Sequence, residues 1–310
     1  IYVSRSIDPY FNLSFEDWLF RHAPSERPLL LLYRDSPCVV IGRHQNPWKE
    51  INLPALHTRT HAPAAAATTT TSNSHGPTHP TPTPPTDNHA VPWIRRRSGG
   101  GTVYHDLGNT NFSIHLPRTS FNRHATAQII LRAVCSLGID AHVNERNDIC
   151  VGAFKISLLS LCNTLLRTYF SFISAYKIVN KRAYHHGTML ISTNLDALGD
   201  LLRPQNKDNM VTKGVASVRS PVCNLQRFDS TITHDKFVNA VIDEFRREYS
   251  VDEEPKCVVV NEDDETVRDI EYIRKGMDEL HSWEWALGQT PEFTYTASHS
   301  FTWGDVVSIL

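Results

Sequence analysis

The segment from Arg95 to Asn109 constrains this chain more than any other. It sets Arg95, Arg96 and Arg97 beside Ser98 and three consecutive glycines, Gly99, Gly100 and Gly101, then Thr102-Val103-Tyr104 and a His105-Asp106 pair. Apolar segments flank it, Val91–Ile94 and Asn111–His115, and read as strands entering and leaving a core. Glycines let the backbone approach a bulky ligand and take dihedrals that side chains forbid. Successive N–H groups in such a turn form an anion-binding nest, and neighbouring arginines supply charge-assisted donors. The unit reads as a loop that binds an anionic ligand. Singly, the arginine run also fits a solvated or nucleic-acid-facing stretch, and Ser-Gly-Gly-Gly fits a linker. Neither usually sits between two strands.

The rest of the chain supplies a core for that loop. Phe11, Phe15, Trp18 and Leu19 fall at helical spacing. So do Ala127, Ile130, Leu131, Val134 and Leu137, with Gly138 as a stop. Phe237 to Phe245 and Ile270 to Leu280 give two further stripes. Leu29–Tyr33 and Cys38–Ile41 read as strand, turn and strand around Asp35-Ser36-Pro37. Strands and helices mix without a regular βαβ rhythm, so the expected class is α+β, a mixed sheet packed against helices.

Two segments break the pattern. Residues 58–90 hold six of the chain's 18 prolines between Pro63 and Pro85, beside alanine and threonine runs, and are expected to be a disordered low-complexity insert. The histidines there are irregularly spaced and lack cysteine or carboxylate partners, so composition bias explains them better than zinc. Residues 158–173 form an apolar insert, interrupted by Asn163 and Arg167 and too short for a membrane span. Translated intron sequence is the expected origin. Lys and Arg number 31 against 33 Asp and Glu, so no global charge draws the chain to nucleic acid or anionic membrane. The six cysteines show no C-x-x-C pair and fit a reducing compartment. The chain begins at Ile1 with no targeting segment, and 297–310 reads as the start of a truncated accessory segment after a catalytic domain spanning 1–296.

The Arg95–Asn109 stretch closely resembles the signature loop of lipoate-protein ligases. Gly42-Arg43-His44-Gln45-Asn46-Pro47-Trp48-Lys49-Glu50 resembles that family's first conserved turn, and Arg146-Asn147-Asp148-Ile149 with Lys155-Ile156-Ser157 its active-site lysine segment. His185–Leu190, Ser217–Ser220, Ser282–Trp285 and Phe301–Gly304 follow in the family's order. The family pattern Lys-Ile-Ser-Gly-Ser-Ala-Tyr-Lys is broken here by the second insert, which stands where one glycine is expected.

The resemblance implies a biotin/lipoate-ligase-like fold and a two-step reaction. Lipoate is activated by ATP to lipoyl-AMP, and the lipoyl group then passes to a lysine of an acceptor protein. By resemblance Lys155 is the catalytic residue and contacts both ATP and lipoate. Arg96, Gly101, Thr102, Val103 and Tyr104 are the ATP-binding positions, and Ser98, Gly99, Gly100, His105 and His186 line the lipoate side. Asp148 is a weak candidate for holding Mg2+; with Asn147 it could equally order the lysine loop or form a turn. His185 and His186 could instead be core histidines. The implied partners are lipoyl-domain proteins, namely 2-oxoacid dehydrogenase E2 subunits and the glycine cleavage H protein, with no nucleic acid and no membrane span. A monomer in the mitochondrion is expected by resemblance alone. Two rivals stay open: an ATP-independent lipoyl or octanoyl transferase, with Cys150 cast as a thioester nucleophile, and an inactive form disabled by the 158–173 insert.

Overall fold

A computed structural model of the chain describes residues 1–58, 91–145, 147–158, 175–204, 207–217, 221–251 and 257–310. Its centre is a seven-stranded mixed sheet, in the order Ser157–Leu158, Arg182–Leu190, Asn109–Pro117, Leu29–Tyr33, Tyr2–Ser4, Val258–Val260, with Ala175–Val179 also paired to Arg182–Leu190. Only the Tyr2–Ser4 strand pairs in parallel; the remaining contacts of the sheet are antiparallel. The expected α+β class stands.

Strand Leu29–Tyr33 shows why the run is apolar throughout. Side chains alternate between faces, and both faces are covered. Leu30 and Leu32 pack with Ile130, Val134, Phe237 and Phe245 of helices Arg123–Ser136 and His234–Tyr249. Leu29, Leu31 and Tyr33 pack with Phe11, Phe15 and Leu19 of helix Pro9–His22 and with Ile273 of helix Glu271–His281. Each leucine so buried contributes roughly 1.5–3 kcal/mol. Asp8 caps helix Pro9–His22 by accepting from Tyr10 N at 2.8 Å, and Gly138, at φ +84°, follows the end of helix Arg123–Ser136.

A smaller sheet carries the signature loop. Strand Cys38–Ile41 lies between Trp93–Arg95, parallel, and Val103–His105, antiparallel. The glycine loop is thus the connection between its two outer strands. A third sheet joins His142–Val143, Ile149–Val151 and Phe154–Lys155. A fourth joins Met210–Thr212, Phe293–Phe301 and Gly304–Ile309, and the division expected at 296 falls inside its central strand.

The region of the second insert has a definite register on both sides. Ser157 and Leu158 pair with Met189 and Thr188, while Ala175 and Tyr176 pair with His186 and His185. Only the rung of Gly187 separates the two flanks, although sixteen residues, 159–174, lie between them in sequence. Those residues and residues 59–90 lie outside the described part of the structure.

Candidate functional site

A narrow slot opens between the central sheet and the sheet that carries the signature loop. Leu13 comes from the first helix, Tyr33 and Val40 from neighbouring strands, Arg96, Val103 and His105 from the signature segment, and Asn111, His186, Gly187 and Thr188 from the central strands. The cavity is about 20 Å³, room for a water-sized group.

Its polar lining is organised around two histidines. His105 Nδ1 lies 2.7 Å from Asp35 Oδ2, and its Nε2 lies 3.0 Å from Thr188 Oγ1. Asn111 completes the ring, donating to Asp35 at 3.1 Å and accepting from Thr188 at 2.7 Å. His186 Nδ1 lies 3.0 Å from Glu16 Oε1, and its Nε2 lies 3.0 Å from Ser98 Oγ. Burial opposes ionisation of Glu16, but the His186 ring beside it outweighs that and holds the carboxyl below its ordinary range. His185, one residue away, faces the opposite side of the sheet, where it meets Thr126 Oγ1 at 2.6 Å, and burial lowers it to about 3. The strand's twofold alternation therefore divides the histidine pair: His185 belongs to the core and His186 to the slot.

The three arginines hold protein groups. Arg95 is fully buried; Nε donates to Ala286 O at 2.9 Å, Nη1 to the carbonyls of Arg43 and Gln45 at 2.8 Å each, and Nη2 to Thr290 Oγ1 at 3.0 Å. Arg96 wraps its own loop, donating to Ser98 Oγ at 3.0 Å, Gly99 O at 2.6 Å and Gly101 O at 2.9 Å. Burial pulls both guanidiniums down to about 10. Arg97 reaches Glu279 and stands 3.8 Å from Asp17. Asp17 also accepts from Lys177 and Arg21 at 2.8 Å each and from Tyr272 at 2.7 Å. Burial alone would raise Asp17; the Lys177 ammonium and these donors overcome it and bring the carboxyl to about 2.

The glycine loop rests against the turn after strand Cys38–Ile41. A Cβ on Gly42 would stand 1.9 Å from Gly100 O, so only glycine fits there, and Gly100 itself takes φ +96°. Gln45 Oε1 accepts from Gly42 N at 2.8 Å and from Thr102 Oγ1 at 3.0 Å. Thr102 N donates to Ser217 Oγ at 2.9 Å. The Tyr104 side chain packs into a core with Val39, Ile41 and Leu201. Val218, Arg219 and Ser220 of the quoted family segment lie outside the described residues.

Lys155 and Asp148 do not line the slot. They pair with each other on the third sheet, Nζ to Oδ1 at 2.9 Å, with side chains 6% and 1% exposed. Asn147, at φ +61°, leads into Asp148, whose N–H donates to Asn144 Oδ1 at 2.9 Å. Two residues after Lys155, Ser157 joins the central sheet opposite Met189, beside the slot residue Thr188. The chain therefore runs from the buried ammonium to the strand beside the slot wall.

The site roles of Glu16, Asp17, Asp35 and Asn111, and the close packing of Gly42 within the family's first turn, escaped sequence reasoning. The first two sit on a helix whose apolar stripe dominates its sequence pattern, and Asp35 falls in the Asp35-Ser36-Pro37 turn between two strands. The one signal for Glu16 and Asp17 was two adjacent acids within an otherwise apolar run. Among the described residues, Asp35, Cys38 and His105 are the one trio close enough to hold a metal ion, and burial pushes the Cys38 thiol well up.

The catalytic-domain model of the lipoyl protein ligase A/B family matches residues 8–246. Lipoate-protein ligase A of Psychrobacter cryohalolentis is 34% identical over 305 residues, covering 98% of this chain and 76% of that protein. Among solved structures, P. falciparum LipL1 in complex with lipoate is similar at TM-score 0.68 and 26% identity, covering 99% of this chain and 79% of that one. A lipoate-protein ligase A bound with ATP shares the fold at TM-score 0.64 and 20% identity, covering 92% of this chain and 96% of that one.

Proposed function

We propose that this chain, which belongs to the lipoyl protein ligase A/B catalytic-domain family, is a lipoate-protein ligase that activates lipoate with ATP and transfers the lipoyl group to a lysine of an acceptor protein. The observation that carries this reading is the buried Lys155 ammonium two residues before a strand that pairs alongside the slot strand Arg182–Leu190.

In the first step a carboxylate oxygen of lipoate attacks the α-phosphorus of ATP, the α–β bridging bond breaks and pyrophosphate leaves. Two anions must meet, so stabilisation of the charge between them dominates the barrier. Lys155 exchanges Asp148 for these oxygens and bridges them, while the Gly99–Thr102 backbone faces the phosphate. In the second step the acceptor amine attacks the acyl carbonyl, the anhydride C–O bond breaks, AMP leaves and the amine gives up a proton. Leu13, Val40 and Val103 supply the apolar walls for the acyl tail. The tail is far larger than 20 Å³, so those side chains part as it enters. Arg96 acts on ATP through the loop it wraps, and His105 and His186 orient groups in the slot.

Asp148 does not fit a resident Mg2+ site. One oxygen holds Lys155, the other faces Asn144 at 3.5 Å, and a hard cation needs several oxygens. The thioester route through Cys150 is disfavoured, because burial and then Asp148 push its thiol up. No helix among the described residues is long and apolar enough to cross a membrane. Lipoyl-domain proteins as acceptors, and a mitochondrial setting, follow from the family resemblance.

Pyrophosphate release from lipoate and ATP without acceptor tests the reading. A ligase gives release that Lys155→Ala abolishes. Acyl transfer between carrier proteins with no release would replace it.

A further inference from the structure

We infer that the segment 282–290 is a positioning clamp for the glycine loop, acting through Arg95. The inference rests on the ligase reading above, and it concerns residues beyond the 8–246 stretch that the family model matches.

The contacts form a continuous chain. Ser282 Oγ accepts from Trp285 N at 3.2 Å and fixes the short helix Trp283–Ala286. Trp285 Nε1 then donates to Arg95 O at 2.7 Å. Ala286 O and Thr290 Oγ1 take two arms of the Arg95 guanidinium, and its remaining arm holds the carbonyls of Arg43 and Gln45. That turn backs the glycine loop at three points. Arg43 N donates to Ser98 O at 2.9 Å, Gly42 lies against Gly100 O, and Gln45 Oε1 accepts from Thr102 Oγ1.

The geometry is specific to a planar fork. Arg95 reaches five neutral oxygens in divergent directions, Gly42 O at 3.4 Å among them, and no carboxylate, and it is fully buried. Such a group adds little net stability through charge, because desolvation opposes it. Its value lies in direction: five N–H vectors fix the relative placement of two backbone segments. Cation–π contacts reinforce the arrangement, with Arg43 4.7 Å and Arg97 5.4 Å from the Trp285 ring. Thr290 reaches the loop through Arg95, and Trp285 holds Arg95 O while packing beside the slot residues Leu13, Val40 and Val103, so both are positioning residues. Loss of one such bond should misplace the loop that faces the phosphate.

Trp285→Phe keeps an aromatic six-membered ring and removes the pyrrole with its Nε1 donor. Thr290→Val keeps the shape and removes the acceptor. The structure predicts that each raises the KM for ATP about tenfold, the equivalent of one lost hydrogen bond, with kcat altered much less. Hydrogen exchange at Gly42, Arg43 and Thr102 should quicken by a similar factor, while Phe112–Leu116 in the central strand keep wild-type protection. Wild-type exchange at those three amides in either folded variant overturns the clamp. So does a uniform rise across the central strand, which marks a merely structural role. If Trp285→Phe fails to fold, Thr290→Val decides. If the wild type releases no pyrophosphate, the ligase reading fails, and the exchange data still judge the clamp.

Discussion

The signature loop and the lysine strand are built on opposite plans. In the loop, Arg95, Arg96 and Arg97 are each tied to protein oxygens, and Gly42 and Gly100 are packed backbone to backbone. Around Lys155 an ion pair to Asp148 holds the buried ammonium, and the strand beyond it is interrupted in sequence. The most distinctive stretch of sequence is therefore the rigid part. The cation proposed to react, Lys155, lies outside that loop, buried beside Asp148.

The strongest way to break this contrast is at Lys155. Lys155→Ala should lower pyrophosphate release by about a thousandfold. It should also cost about 3 kcal/mol in denaturant unfolding, because the buried Asp148 carboxylate loses its ion-pair partner. Adding Asp148→Asn should restore the stability and leave activity lost. Recovery of activity in the double variant would mean that Lys155 only balances Asp148.

On the rigid side, Gly42→Ala drives a methyl into Gly100 O and should cost about 2–3 kcal/mol, with activity falling in step. A variant as stable as wild type would show that the loop yields, and the contrast would collapse. Asp17 sharpens the same side through pH. Its carboxyl lies at about 2 in the folded chain, below an unfolded value near 3.9, so its contribution is complete above about pH 4 and lost as pH falls toward 2. Asp17→Asn should remove about 2 kcal/mol at neutral pH, and the gap to wild type should narrow on acidification, as read by unfolding at each pH. A constant gap would assign the loss to packing.

Replacing Leu158–Ile173 by one glycine gives the smallest expected shift in stability. The chain should fold with the same pairing and gain on the order of 1 kcal/mol from a shorter connection. If activity appears only in that variant, the insert disables the site. If the variant does not fold, the insert is part of the sheet.

Much of this was legible beforehand. Helical stripes and the Leu29–Tyr33 run predicted the layers because apolar spacing is a local property. His105 and His186 reached the slot because the resemblance carried them. The roles of the arginines were not legible, since a cation that binds carbonyls reads like one that binds phosphate. Glu16 and Asp17 were hidden because a helix covered on two sides buries its polar face too: Asn12, Ser14, Glu16 and Asp17 are all inside. Gly42 needed the third dimension, because its partner Gly100 is far away in sequence.

The register across Gly187 has a practical corollary. Hydrogen-bond ladders count rungs and ignore how much polypeptide hangs between them. Leu158 and Ala175 stand two rungs apart on their partner strand, about 7 Å by strand rise. Any module whose own ends emerge at that spacing can be spliced in without disturbing the ladder. This edge is therefore a port for grafting a reporter directly beside the chemistry.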